Sequence, residues 1–175
     1  FGLKRFDWRS CQDTSAGIAS APVNLVRIEA LLIDPGGNLW VAHEMGLICL
    51  DPQGVWHDHT ASMPDPKVMA LCWSKQNELW VGTWRGVAVL SPEGVWRHYR
   101  VADGLPGERV RAICADSQGG VWIGSFIAPE GGLLHWSGDV KKIYTTDDLL
   151  AHANVAALFE DSQNRIWIGF GFFDR

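Results

Sequence analysis

The sequence predicts an all-β protein, a β-propeller of about four four-stranded blades. Three observations carry this. A motif of six-residue spacing recurs four times; its copies lie at a period of about forty residues; and the chain is rich in Trp (10) and Gly (19) while holding only 2 Tyr. The four copies are Asp34-Pro-Gly-Gly-Asn-Leu-Trp40, Ser74-Lys-Gln-Asn-Glu-Leu-Trp80, Asp116-Ser-Gln-Gly-Gly-Val-Trp122 and Asp161-Ser-Gln-Asn-Arg-Ile-Trp167. Successive Trp residues are 40, 42 and 45 apart, the spacing of propeller blades.

Each unit divides into strands by apolar run and alternation. The innermost strand reads Val68 to Trp73, with counterparts Val110 to Ala115 and Val155 to Glu160. A tight turn follows, in which the Asp or Ser side chain bonds its own backbone and a Gly or Asn takes positive φ. The second strand is Leu79 to Thr83, matched by Val121 to Ser125 and Ile166 to Gly169. The third is Gly46 to Leu50 or Gly86 to Leu90, and the outermost Gly54 to His59 or Gly94 to Tyr99. A loop such as Asp103-Gly-Leu-Pro106 leads to the next blade.

Blades of this kind bury their faces only by stacking. The repeated Trp40, Trp80, Trp122 and Trp167 are sized to fill the space between them, each contributing roughly 2–3 kcal/mol on burial. Gly82, Gly124 and Gly169, two residues after a Trp, leave room for a neighbour. Together with Asp34, Asp116 and Asp161 these are structural positions, and the Trp ladder is not read as a sugar platform.

The blades are expected at 23–60, 67–100 and 108–145, with outer strands of a split blade at 1–11 and inner strands of a split or truncated one at 154–175. Gly2 to Asp7 resembles the third strand Gly46 to Asp51; Trp8 opens a short outer strand, and residues 12–22 read as a loop. The ends admit a closed four-bladed ring, a piece of a longer propeller with further blades, or two copies joined as a homo-oligomer in one larger ring.

Composition narrows the function. A net charge of −5 argues against a general nucleic-acid binder. No apolar run is long enough to cross a bilayer, so no membrane insertion is expected within this segment. Cys11, Cys49, Cys72 and Cys114 show no paired spacing and read as buried thiols. No Gly-x-Ser-x-Gly and no phosphate-cradling loop is present, so no catalytic residue is assigned. No cofactor is expected. His57 and His59 share one face of an outer strand, but no third ligand converges and no metal site is assigned. Asp147 and Asp148 lie in a connecting loop without an acid/base partner.

The candidate site lies where the innermost strands begin, at the mouth of the central channel. Aligned on the turn, Arg27, Lys67, Arg109 and Asn154 are equivalent, and two residues on so are Glu29, Met69, Arg111 and Ala156. Three basic groups at one height suit an anionic ligand or an acidic partner loop; the competing reading is solvated charges neutralised by Glu29 and Glu108. The loop after the second strand adds His43-Glu44, Trp84-Arg85 and Phe126. Trp84 lies outside the repeated Trp position, and an aromatic beside Arg on a loop is a typical anchor; the competing reading is that Trp84 caps a neighbouring blade. The stretch Phe126 to Gly131 is an insertion relative to the second unit, and insertions often mark a binding face.

The pattern D-x-x-G-x-[LVI]-W-[IV]-G-T, followed by G-[LV] and a strand ending G-V-W, resembles the two-component regulator propeller repeat. Asp103-Gly-Leu-Pro106 followed by Val110-Arg-Ala-Ile113 resembles its linker, and the likeness runs from about Val23 onward. Ser74 replaces the Asp of the second unit, and Ala42 and His43 replace Gly and Thr in the first. The resemblance implies the periplasmic or extracellular sensor region of a bacterial two-component signalling protein. Streptogramin-lyase propellers, which are enzymes, share a similar D-x-x-G-x-x-W pattern. The leading function is therefore a non-catalytic ligand- or protein-recognition module. The alternatives are a lyase-like enzyme using His43 and Glu44, and a structural interaction subunit of a larger assembly; fold alone does not choose among them.

Overall fold

The computed structural model describes residues 3–7, 9, 12–13, 21, 25, 27–126 and 131–171. Its sixteen described strands form antiparallel sheets that follow one another along the chain. Blade 1 comprises β3 (Ile28–Ile33), β4 (Leu39–His43), β5 (Gly46–Leu50) and β6 (Trp56–Asp58). Blade 2 comprises β7 (Val68–Trp73), β8 (Leu79–Thr83), β9 (Gly86–Leu90) and β10 (Trp96–Tyr99). Blade 3 comprises β11 (Val110–Ala115), β12 (Val121–Ser125), β13 (Gly132–Ser137) and β14 (Val140–Tyr144). Two-stranded sheets stand at either end: β1 (Phe6–Asp7) with β2 (Gln12–Asp13), and β15 (Val155–Glu160) with β16 (Ile166–Phe170). The fold is thus an all-β propeller arc of three full blades and two half-blades.

The expected strands fall where the repeat puts them, with shorter outer strands and one correction. Gln12 and Asp13, assigned to a loop, pair with Phe6 and Asp7 as a short ladder. Trp8, Cys11, most of 12–22 and the insertion 127–130 lie outside the described residues. Short 3₁₀ turns at Thr60–Ser62, Val101–Asp103 and Thr146–Asp148 close the blade-to-blade links. Asp148 serves the last of these, its Oδ2 accepting from Thr145 N at 3.0 Å, so it is a capping residue.

The six-residue spacing is a hydrogen bond. Asp34 Oδ2 accepts from Trp40 Nε1 at 2.9 Å, Asp116 Oδ2 from Trp122 Nε1 at 2.9 Å, and Asp161 Oδ2 from Trp167 Nε1 at 2.7 Å. The other carboxylate oxygen accepts backbone N–H groups of the turn, as Asp116 Oδ1 does from Gly120 N at 2.7 Å. One side chain therefore shapes the turn and aims the indole. In blade 2, Ser74 Oγ accepts only the turn amide of Glu78, and Glu78 Oε2 takes the Trp80 Nε1 proton at 3.1 Å. The same position of all four turns has positive φ: Gly37, Asn77, Gly119 and Asn164.

The core lies between blades. Trp40, Ala42 and Leu47 of blade 1 pack on Leu79, Val81 and Ala88 of blade 2. Trp80, Val87 and Val89 pack in turn on Val121, Ile123 and Leu134 of blade 3. Trp40 and Trp80 are buried (5% and 6% exposed), but Trp167 on the outer face of the last half-blade is 58% exposed, beside Phe159 at 64%. The Trp therefore fills the inter-blade space only where a following blade covers it.

Candidate functional site

A repeated backbone bond builds the mouth. Glu44 N donates to Arg27 O, Trp84 N to Lys67 O, Phe126 N to Arg109 O and Gly171 N to Asn154 O, at 2.9–3.3 Å. In every unit, then, the residue ahead of the innermost strand is clamped to the residue after the second strand. The β-bulge that follows, between Ile28 and Ala30 and at the matching steps of the other blades, sets the register of the next positions. Arg27, Lys67, Arg109 and Asn154 thus stand at one level, and Glu29, Met69, Arg111 and Ala156 one step inward.

The charges at this level do not form a uniform basic ring. Arg27 Nε contacts Glu29 Oε1 at 2.8 Å, and its Nη1 lies 3.8 Å from Glu44 Oε2. Glu29 is largely buried, its side chain 8% exposed, and Oε2 also reaches Arg111 Nη1 at 3.9 Å. That second contact runs from the first innermost strand to the third, past buried Met69 on the strand between. Arg85, on the rim, pairs with Asp65 at 3.5 Å. Glu108 contributes its backbone carbonyl, which accepts from Gly86 N.

Lys67 and Arg109 are held differently. Lys67 Nζ lies 3.6 Å from the centroid of a Trp84 ring, and Arg109 Cζ lies 4.4 Å from it. Neither has an ion-pairing carboxylate among the described residues. Trp84 Nε1 is buried without an acceptor there, so the two cations, rather than an indole hydrogen bond, position this ring. Together those distances keep the charges within about 8 Å, where an effective dielectric near 20 gives roughly 2 kcal/mol of repulsion. Two cation–π contacts at about 0.5–2 kcal/mol each offset that repulsion without neutralising it. An anion would lower the remaining cost.

His43 belongs to the blade, not to the mouth surface. It is 2% exposed, and its Nδ1 accepts from Met45 N at 3.3 Å. Burial drives its pKa down, against the opposing pull of Asp58 and Glu44, so the ring is neutral. In the equivalent place Thr83 Oγ1 donates to Gly86 O and Ser125 Oγ to Gly107 O: this is the strand-end position that ties the next loop. Phe126 is likewise buried (7% exposed), an anchor for its loop rather than an open contact.

Two further features were not readable as site elements. Lys67 N donates to Asp65 Oδ1 and Asn154 N to His152 Nδ1, so at two of the four mouth positions the residue two before shapes the approach. The only signal was a polar residue at that spacing. The two histidines of the outer strand take separate partners: His57 Nε2 lies 2.9 Å from Asp51 Oδ2, while His59 sits against Trp40 and Trp96. Among the described residues no group of three or more His, Cys, Asp or Glu is arranged to hold a metal. Among the described residues no helix is long and apolar enough to cross a membrane.

Fold and site together define a propeller arc with a polar, aromatic-anchored channel mouth. Three segments, 62–85, 104–126 and 149–171, match the family model described as the two component regulator propeller. Each match covers a blade link, an innermost strand and a second strand. The first unit, where Ala42 and His43 depart from the pattern, lies outside the matches. No curated protein matches the chain. Among solved structures, the extracellular domain of the hybrid two component system BT4673 of B. thetaiotaomicron matches at TM-score 0.73 and 17% identity, over 97% of this chain and 24% of that one. The extracellular domain of BT3049 from the same organism matches at 0.71 and 22%, over 87% and 22%. Virginiamycin B lyase from Staphylococcus aureus matches at 0.67 and 16%, over 83% and 49%. The chain spans between about a fifth and a half of these proteins, and at such identities the likeness is one of fold.

Proposed function

We propose that this chain is part of the sensor propeller of a bacterial two-component signalling protein, exposed to the periplasm or the cell exterior. In this reading it is a non-catalytic recognition module that takes an anionic ligand, or an acidic loop of a partner protein, at the channel mouth. The repeat matches and the extracellular sensor domains of like fold support the setting. One observation carries the chemistry: Lys67 and Arg109 converge on Trp84 with no counter-ion among the described residues. Every other mouth arginine has a carboxylate partner.

The lyase-like alternative loses its best base, because His43 is buried, neutral and engaged with Met45 N. The structural-subunit alternative draws support from exposed apolar side chains, Phe159 and Trp167 on the last half-blade and Leu31 and Ile33 on blade 1.

Calorimetric titration with citrate, and separately with a hexaglutamate peptide, tests the proposal. At low salt at least one should bind, with affinity falling as salt rises. The K67Q/R109Q double substitution should weaken it about tenfold or more, since each charge is worth roughly 1 kcal/mol at this exposure. Equal binding by the double variant would overturn the assignment.

A further inference from the structure

Blades 2 and 3 enclose a second recess on the opposite side of the molecule from the mouth, near the turns that join the first and second strands. It is a cleft of about 300 Å³, lined by Gln76, Glu78, Trp80, Tyr99, Trp136 and Asp139 among others. Its aromatic wall comes from a local departure from the repeat. Trp136 pairs across the sheet with Val121, the place that Leu50 and Leu90 take opposite Leu39 and Leu79. A leucine of the repeat has become a tryptophan only in blade 3. Its ring meets Trp80 edge-on at 5.3 Å and Tyr99 edge-on at 4.7 Å, and Trp80 stacks with Tyr99 at 6.4 Å.

The polar groups of the cleft are strongly one-sided. Both indole donors are already committed, Trp80 Nε1 to Glu78 Oε2 and Trp136 Nε1 to Gly138 O, and Gln76 Nε2 gives one of its two N–H groups to Gly119 O. Acceptors remain, namely the second oxygen of Glu78 and the carboxylate of Asp139 on the exposed β13–β14 turn. No Lys or Arg lines the cleft. The nearby ammonium groups of Lys75 and Lys141 are held on backbone carbonyls, of Ser117 and Asp103. Lys141 Nζ also lies 3.8 Å from the Trp136 ring centroid, so this ring already attracts an ammonium within the chain.

We infer that this cleft is a binding site for a small organic cation, of the quaternary ammonium class. Three aromatic rings with two carboxylates, and both indole donors committed within the chain, favour a positive, weakly hydrated group over an anion or a neutral polyol. The inference is independent of the mouth, whose chemistry has the opposite sign.

The test uses choline as the probe and its neutral isostere 3,3-dimethylbutan-1-ol as the control, read by calorimetry and by the indole N–H resonances in NMR. Choline should bind once per chain, with an affinity of order millimolar, and move the Trp80 and Trp136 indole signals. The isostere should bind about tenfold more weakly. E78Q/D139N, which keeps an acceptor for Trp80 Nε1, should weaken choline by about tenfold and leave thermal unfolding near wild type; D139N alone, on an exposed turn, should weaken it by about threefold. Equal binding of the isostere, an unchanged affinity in D139N, or choline shifts confined to Trp84 would each overturn the inference.

Discussion

The close approach of blade 3 to the last half-blade gives a sharp test of how the repeat holds together. A Cβ built on Gly124 would stand 2.4 Å from Val155 Cγ1 and 2.9 Å from Val155 Cβ. The second contact is near the backbone of an innermost strand and cannot rotate away. On Gly82 the corresponding Cβ would meet Val110 Cγ1 at 2.8 Å, the end of a side chain that can turn. On Gly169, whose outward face no blade covers, the nearest atom is Ala157 Cβ at 3.2 Å within the same sheet. The three substitutions to Ala should therefore rank G124A, then G82A, then G169A in cost. Overpacking of a close-packed site costs about 1–3 kcal/mol, and G124A should lie at the upper end. G169A should lie within about 0.5 kcal/mol of wild type, as uncovered sites do. For a chain of this size each kcal/mol lowers Tm by about 2–4 °C, so G124A should melt roughly 6–12 °C early. Urea unfolding with fitted m-values supplies the free energies. A G124A protein as stable as wild type, or a G169A protein as destabilised as G124A, would refute the account of glycine as the seat for the next blade's valine.

Three further outcomes follow from the same structure. Asp34 and Asp116 are partly desolvated, which raises their pKa, but hydrogen bonds from the motif Trp and the turn outweigh this; Asp161, led by its bond from Trp167, falls to about 2. Because these pKa values lie below the ordinary carboxylate value in the folded chain, their stabilisation is present above about pH 4 and is lost as pH falls towards 2, a loss that urea unfolding across that range should show and D116N should reduce. His43 has the opposite linkage: its lowered folded pKa means that the unfolded chain takes up the proton first, so stability should fall as pH drops below about 6.5, and H43T should flatten that slope without impairing anion binding at the mouth. The exposed Phe159 and Trp167 should drive concentration-dependent association, visible in sedimentation velocity, which F159S/W167S should abolish.

The sequence carried the blade because the blade is made by local rules that repeat. The turn Asp, the positive-φ Gly or Asn, and the alternating strand residues act within some ten residues of one another, so their spacing is visible in one dimension. The same alignment makes Arg27, Lys67, Arg109 and Asn154 equivalent positions, and one backbone bond per blade clamps each of them. It could not divide them by role. That Arg27 is neutralised while Lys67 and Arg109 share an indole depends on side chains meeting across blades, and nothing in a forty-residue period encodes that. His43 shows the converse error: it looked like a loop histidine because the residue after it is polar, yet it occupies a buried strand end where its neighbours carry Thr83 and Ser125.

A repeat protein therefore shows its function where it breaks its own pattern. Positions that obey the pattern, such as Trp40, are consumed by packing and have little surface left for a ligand. The departures are Trp84 at the mouth and Trp136 on the far side, each an aromatic where the other blades have something smaller or charged. Both gather cations on their rings, Lys67 and Arg109 at one and Lys141 at the other. The difference lies in what surrounds them. At Trp84 the cations lack counter-ions among the described residues, so the site calls for an anion. At Trp136 the cleft adds Glu78 and Asp139, so it calls for a cation. Two ligands of opposite charge, taken on opposite faces of one arc, would exchange no contact; any coupling between them must run through the packing of blade 2 against blade 3, where Gly82, Val110 and Ile113 meet. That makes G82A informative beyond stability. If the two sites are coupled, saturating citrate should change choline affinity in the wild type and the added Cβ of G82A should alter that factor; if they are separate, citrate should leave choline affinity unchanged in both proteins.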